Sequence, residues 1–163
     1  MIDRSLTSGS DDRVEATDVA DTIGGMGGDD NIDGMDGDDN LSGGAGHDNL
    51  FGNNGNDKLT GGAGRDTLDG GNGDDTMMGG AGRDLLYGGG GEDLYMGSAT
   101  DLDGDMITDF GRDDEIQITG LKAASVVTQD RVNNEVTIDI DGDGTIDARF
   151  ELFTGENLKA TLT

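Results

Sequence analysis

From Gly25 to Met96 the chain is written in nines: GMGGDDNID, GMDGDDNLS, GGAGHDNLF, GNNGNDKLT, GGAGRDTLD, GGNGDDTMM, GGAGRDLLY and GGGGEDLYM, without a frame slip. Each unit has Gly at its first and fourth positions and Asp at its sixth. Its eighth position is large and apolar: Ile32, Leu41, Leu50, Leu59, Leu68, Met77, Leu86 and Tyr95. A fixed period of this kind commits a chain to a repeat architecture, in which a unit buries its apolar side chain only against its neighbours. All other segments must cap this block, extend it or hang from it.

With 32 glycines, 31% hydrophobic residues and 4% aromatics in 163 residues, large side chains cannot fill an ordinary core in the repeat half. A net charge of −26 on such a chain would ordinarily mean disorder, yet these acids are placed at a fixed spacing rather than run together. So acidic a chain argues against nucleic acid as a partner, because phosphate binding needs clustered Lys and Arg. Divalent cations are the natural counter-charge. The absence of cysteine excludes disulfides, thiolate zinc sites and thiol chemistry. No stretch reaches the roughly 18 apolar residues of a membrane span, and MIDRSLTSGS is not the apolar start of a cleaved signal peptide.

The block resembles the repeats-in-toxin (RTX, hemolysin-type) family, whose nonapeptide GGxGxDxUx is a calcium-binding motif. The resemblance implies an all-β fold, a right-handed parallel β-roll in which two turns and two short strands close a coil of eighteen residues. It also implies export through a type I secretion machinery by an uncleaved C-terminal signal, hence an extracellular location. Each unit then reads as a glycine turn and a strand of about three residues, with the eighth position inward and the seventh and ninth outward.

In that geometry Asp30, Asp48, Asp66 and Asp84 line one edge, and Asp39, Asp57, Asp75 and Asp93 the other. Carboxylates about 5 Å apart repel by roughly 3 kcal/mol at an effective dielectric of ~20. A hard cation taking six or more oxygens removes that repulsion and uses turn carbonyls as well, which is calcium chemistry rather than magnesium or zinc. A lone Asp here would read as an Asx-turn residue; eight in two columns read as ligands. The resemblance places one calcium between successive coils on each edge, about six in all. The turn glycines Gly43, Gly46, Gly52, Gly55, Gly61, Gly64, Gly70, Gly73, Gly79 and Gly82 would supply backbone oxygens. Met26, Met35 and Asn53 depart from the pattern at the second position. If that position needs positive φ, Met is the poorer fit and the N-terminal sites are the weaker ones.

Upstream, residues 7–15 and 16–24 keep Asp12 and Asp21 at the sixth position and Val14 and Ile23 at the eighth, with most glycines lost. They read as degenerate capping repeats after a frayed lead of residues 1–6; a flexible linker is the alternative. Asp12 with Asp30 and Asp21 with Asp39 would add two weaker sites. His47, Arg65 and Arg83 share the fifth position on one edge, while the other carries Asp38, Asn56, Asp74 and Glu92. Met78, Leu85, Tyr87, Leu94 and Met96 put apolar side chains at outward positions, so residues 97–163 are expected to fold back over them, an oligomer contact being the alternative.

After Gly97 the period stops, and residues 97–163 read as a β-rich capping and secretion segment. GDMITDFGRDDEIQITGL resembles the element that follows the roll in RTX proteins, through Ile107, Asp109, Phe110, Asp114, Ile116 and Ile118. Strands are expected at residues 125–128, around Val136 and Ile138, and around Ala148, Phe150 and Leu152. Between the last two, Asp139, Asp141 and Asp143 resemble a calcium loop, but Phe150 stands where an EF-hand has Glu; a hairpin turn fits the same residues and is preferred. The tail, ELFTGENLKATLT, resembles the start of a type I secretion signal without its usual closing acid and apolar residues. No HExxH, GxSxG or cysteine nucleophile is present. The reading is a non-catalytic calcium-binding module that folds on calcium binding after secretion; the alternative is an accessory module binding an acidic polysaccharide.

Overall fold

The computed structural model describes residues 3–5, 9–111, 113–121, 126–130, 135–139, 148–152 and 160–162. They form strands only: β1 (Asp3–Ser5), β2 (Arg13–Glu15), β3 (Thr22–Gly27), β4 (Asn31–Asp33), β5 (Asn40–Gly46), β6 (Asn49–Asn54), β7 (Lys58–Gly64), β8 (Thr67–Asn72), β9 (Thr76–Gly82), β10 (Leu85–Gly90), β11 (Leu94–Ser98), β12 (Met106–Ile107), β13 (Glu115–Thr119), β14 (Val126–Asp130), β15 (Glu135–Asp139), β16 (Ala148–Leu152) and β17 (Ala160–Leu162). Among them no helix is long and apolar enough to cross a membrane.

Odd and even strands separate into two sheets. The first runs β1-β3-β5-β7-β9-β11-β13-β17, and the second β14-β15-β16-β12-β10-β8-β6-β4-β2. From β2 to β11 each strand pairs in parallel with the one eighteen residues on, as Leu41 with Leu59 and Leu50 with Leu68. This is the two-sheet parallel solenoid expected of a period that alternates sides every nine residues. The strands are longer than the expected three residues: β5, β7 and β9 each span seven. The glycine run stays in the ladder, Gly44 pairing with Gly62 and Ala45 with Ala63, because backbones without large side chains remain at sheet spacing through the turn.

The eighth-position side chains meet between the sheets. Val14, Ile23, Ile32, Leu41, Leu50, Leu59, Leu68, Met77, Leu86 and Tyr95 are all fully or almost fully buried. Burial alternates along each strand, as in β7, where Leu59 and Gly61 face in. Each layer thus adds one large side chain, worth roughly 1.5–3 kcal/mol, to a continuous column.

The roll does not end at Met96. β12 pairs in parallel with β10 and β13 with β11, so part of the expected cap continues both sheets. At the other end the expected frayed lead contributes β1, paired in parallel with β3. Described residues after 97 meet the outward apolar strip side by side within the sheets. Leu85 lies beside Met106 and Met96 beside Gln117 within the sheets, and Met78, Leu85, Tyr87, Leu94 and Met96 are half-buried. The segment also closes the end of the core column, where Leu102, Ile107, Phe110, Ile116 and Ile118 are buried and the Phe110 ring sits 5.9 Å from that of Tyr95. An apolar column needs its last layer closed more than a sheet face needs a roof. β16 pairs in parallel with β12, and β15 lies antiparallel between β16 and β14. Asp141 and Asp143 lie outside the described residues, as does the side chain of Asp139.

Candidate metal centre

Where the chain enters the second sheet, Asp12, Asp30, Asp48, Asp66, Asp84 and Asp105 stand in one column. Where it enters the first, Asp21, Asp39, Asp57, Asp75, Asp93 and Asp114 stand in another. In both columns the backbone N–H of each aspartate donates to Oδ1 of the next one along, at 2.7–3.1 Å throughout. Its carbonyl accepts from the following coil too, as Asp48 does from the Thr67 N–H. These are contacts between coils, not local Asx turns.

One carboxylate oxygen is therefore committed to the neighbouring coil, and the other is not. Oδ2 of Asp12, Asp30, Asp39, Asp48, Asp57, Asp66, Asp75, Asp84 and Asp105 is buried without a hydrogen-bond partner. A single buried polar atom left unmade costs about 1–3 kcal/mol, so nine in two lines require a shared explanation. Burial pushes Asp30, Asp39, Asp48, Asp57, Asp66, Asp75, Asp84 and Asp105 up; the N–H bond from the adjacent coil opposes it, and for Asp39, Asp66, Asp75 and Asp105 facing carboxylates add to it. Asp39, Asp66 and Asp93 reach about 6, Asp75 about 7 and Asp105 about 8. The column is built for a positive charge that the protein itself does not supply.

The glycines make room for it. A Cβ on Gly61 would strike Oδ2 of Asp66, and Gly43, Gly52, Gly70 and Gly79 stand in the same relation to the aspartates of their own units. At the fourth position Gly64 has φ of 148°, and a Cβ there would fall on the Gly46 carbonyl; Gly46, Gly55, Gly73 and Gly82 likewise lie against the carbonyl one coil back. Among the described residues no three His, Cys, Asp or Glu side chains converge. A cation here would be held by two carboxylates and by backbone oxygens, a donor set of hard oxygens that fits calcium. The second position does require positive φ, at 73° for Met26, 72° for Met35 and 72° for Asn53.

The columns differ at their ends. Oδ2 of Asp21 accepts from the Thr17 N–H at 2.8 Å and its hydroxyl at 2.6 Å, and Oδ2 of Asp114 accepts from the Gly111 N–H at 2.7 Å. Asp21, expected as a weak ligand, is thus tied down locally, whereas Asp12 keeps its second oxygen unpartnered. The sequence reading missed Asp105 and the columnar role of Asp114. The signal was present: Asp105-Met106-Ile107 and Asp114-Glu115-Ile116 repeat the Asp-x-apolar core of the unit, hidden by lost glycines and a spacing of 21 instead of 18.

A second, outer ladder runs along the fifth positions in the opposite sense. The His47 N–H donates to Asp29 and the Arg65 N–H to Nδ1 of His47, and on the other edge the Asn56 N–H donates to Asp38 and the Glu92 N–H to Asp74. His47, Arg65 and Arg83 are exposed and in line, as expected.

A parallel two-sheet solenoid with buried aspartate columns between glycine turns defines a calcium-binding roll. The RTX calcium-binding nonapeptide repeat, described in four copies, matches residues 7–41, 15–50, 33–68, 42–77 and 69–101, which together span more than half of the chain, and the chain belongs to that family. Among curated proteins none matches. Among solved structures, the solution structure of the AlgE6R3 subunit from the Azotobacter vinelandii mannuronan C5-epimerase is similar over 90% of this chain and 72% of that one, at 25% identity and a TM-score of 0.40.

Proposed function

We propose that this chain is a non-catalytic calcium-binding module that is secreted by a type I route and folds when it meets calcium outside the cell. The observation that supports it is the line of buried aspartate oxygens left without partners in both columns. When bound, calcium supplies the positive charge and the coordination that these oxygens need. The chain's own residues do the rest: the Oδ1 ladder sets the spacing of the coils, and the glycines keep the space beside Oδ2 open. Asp30, Asp48, Asp66, Asp84 and Asp105 on one edge, and Asp39, Asp57, Asp75 and Asp93 on the other, are the proposed ligands. Asp12 would serve more weakly.

Ligand that binds only the folded state stabilises it by RT ln(1 + [L]/Kd) per site, about 2.7 kcal/mol at a hundredfold excess. Many sites sharing carboxylates make the transition steep, with a midpoint in the ~10⁻⁴–10⁻³ M range of extracellular modules. A calcium titration followed by far-UV circular dichroism tests this. The expected result is a cooperative gain of β signal; full β signal in excess chelator overturns it.

The second reading, an acidic polysaccharide on the cationic edge, draws on the exposed alignment of Arg65 and Arg83. His47 contributes less than the sequence suggested, since its Nδ1 is occupied by the Arg65 N–H.

A further inference from the structure

The outer face of the second sheet carries a feature that the calcium columns do not use. Between β6 and β8 lies an open cleft of about 270 Å³, lined by Phe51, Asn53, Asn54, Asp69, Gly71 and Asn72. Register places Phe51 beside Asp69, Asn53 beside Gly71 and Asn54 beside Asn72. Gly71 leaves the floor open where its neighbour Asn53 has a side chain.

The polar groups in this cleft are pre-aimed. The Asn72 amide donates to Oδ1 of Asn54 at 2.9 Å, and the Asn54 amide to Oδ1 of Asp36 at 2.7 Å. The Asn53 amide donates to Oδ1 of Asp33 at 2.8 Å. Each amide N–H₂ is thus drawn toward the N-terminal end of the roll. The amide oxygens of Asn53 and Asn72 and the Asp69 carboxylate have no hydrogen-bond donor among the described residues. A half-buried aromatic ring beside several fixed acceptors is the chemistry that holds a pyranose: the ring covers its C–H face and the oxygens take its hydroxyl protons.

The neighbouring coils extend the arrangement. Asp33, Phe51, Asp69 and Tyr87 form one outward row across β4, β6, β8 and β10. Phe51 and Tyr87 stand two coils apart, about 9.6 Å at sheet spacing, with Asp69 between them. Two aromatic platforms in one row of a sheet, separated by an acceptor, suit an extended chain of sugars rather than a single one. No cation lines the cleft, and the carboxylate disfavours uronate, sulfate and phosphate groups. We infer that this face binds a linear neutral glycan, with Phe51 and Tyr87 as stacking platforms and Asp69, Asn53 and Asn72 as hydroxyl acceptors. The inference rests on the calcium reading only in so far as calcium is needed to form the sheet.

The test uses the full chain in saturating calcium, with neutral linear hexasaccharides (cello-, xylo-, laminari- and manno-) and a hexauronate titrated by calorimetry, and with folding recorded on the same samples by circular dichroism. At least one neutral series is expected to bind. Phe51→Ala is expected to weaken it about tenfold or more, Asp69→Asn about threefold, and Phe51→Trp to retain it, whereas Arg65→Ser/Arg83→Ser leaves it unchanged. Folded protein that binds no neutral hexasaccharide, that prefers the hexauronate, or whose binding survives Phe51→Ala overturns the inference. A chain that is rolled and glycan-binding in chelator supports this inference and removes the calcium-folding proposal instead.

Discussion

Six aspartates stand on each edge of the roll, joined by the same N–H to Oδ1 ladder, yet the two edges are finished differently. Where the chain enters the second sheet, Oδ2 is unpartnered from Asp12 through Asp105. Where it enters the first, the terminal residues are closed by Thr17 and Gly111, leaving Asp39, Asp57 and Asp75 as the unpartnered ones. Outside the columns the first edge carries His47, Arg65 and Arg83, and the second carries acids and Asn56. The same repeated residue thus presents an open second oxygen or a closed one, according to whether a local N–H reaches it. Repetition sets the position of a carboxylate; the neighbouring turn decides its use.

The largest separation is expected in the middle of the first edge. Asp66→Asn keeps an Oδ1 for the Asp48 N–H but removes the charge shared by two proposed sites, and should raise the calcium midpoint at least tenfold. Asp69→Asn, only three residues away, points outward and should shift it less than twofold, roughly the difference between losing a charged ligand and losing a distant charge. Equal shifts for the two variants would mean that net charge rather than position governs the response.

At the C-terminal end the comparison tightens. Asp105→Asn should weaken calcium-dependent folding several-fold more than Asp114→Asn, because Oδ2 of Asp105 is unpartnered while that of Asp114 is held by Gly111. Chemical denaturation at fixed calcium reads both, and the reverse order would break the distinction between open and closed ends.

Without calcium, pH should act through the same groups. Burial raises Asp39, Asp66 and Asp93 to about 6, Asp75 to about 7 and Asp105 to about 8, above the ~3.9 of an unfolded aspartate. The folded chain therefore holds more protons than the unfolded one between about pH 4 and pH 8. Their contribution to stability is complete below about pH 4 and is lost as pH rises through the folded values. In chelator, acidification from about pH 8 to pH 5 should increase the β signal; in limiting calcium it should lower it, since protons compete for the ligands. Loss of β structure on acidifying the chelated chain would contradict this assignment of the buried oxygens.

The smallest effect concerns the turns that lead to each edge. Met26 and Met35 adopt positive φ, where a side chain costs about 1–2 kcal/mol, offset in part by the flexibility that glycine adds to the unfolded chain. Met26→Gly and Met35→Gly should each stabilise the calcium-loaded roll by about 0.5–1 kcal/mol in urea denaturation. A loss of stability would show that the exposed methionines contribute contacts of their own.

The columns and the inward Leu row were legible because nine residues without a slip leave one way to alternate between two sheets. The extension to Asp105 and Asp114 was not legible, because lengthening the coil from 18 to 21 residues breaks the period while preserving the spatial stack; a ladder made by hydrogen bonds tolerates a loop bulging outside it. The outward strip from Met78 to Met96 has lateral neighbours that its sequence does not announce. Apolar residues near the end of a solenoid can gain neighbours sideways within a sheet, which looks in the sequence like a face awaiting cover. Glycine invited one explanation, carbonyl supply, where the geometry gives another as well: Gly61 clears the space for Asp66, and Gly64 sits on the coil before it.

At every earlier step on the first edge, an aspartate N–H reaches forward to the next coil. That of Asp105 turns back to the Leu102 carbonyl at 3.2 Å. The aspartate ladder therefore ends at Asp105 while the sheet goes on: the Gly104 N–H donates to the Arg149 carbonyl and the Glu151 N–H to the Asp105 carbonyl, which joins β16 to this end. Stacked parallel strands are natural seeds for end-to-end polymerisation. Here β16 of the same chain occupies the edge of β12, and its antiparallel partner β15 ends the parallel stack, so a second copy cannot add its own coil directly onto the last aspartate layer of this column.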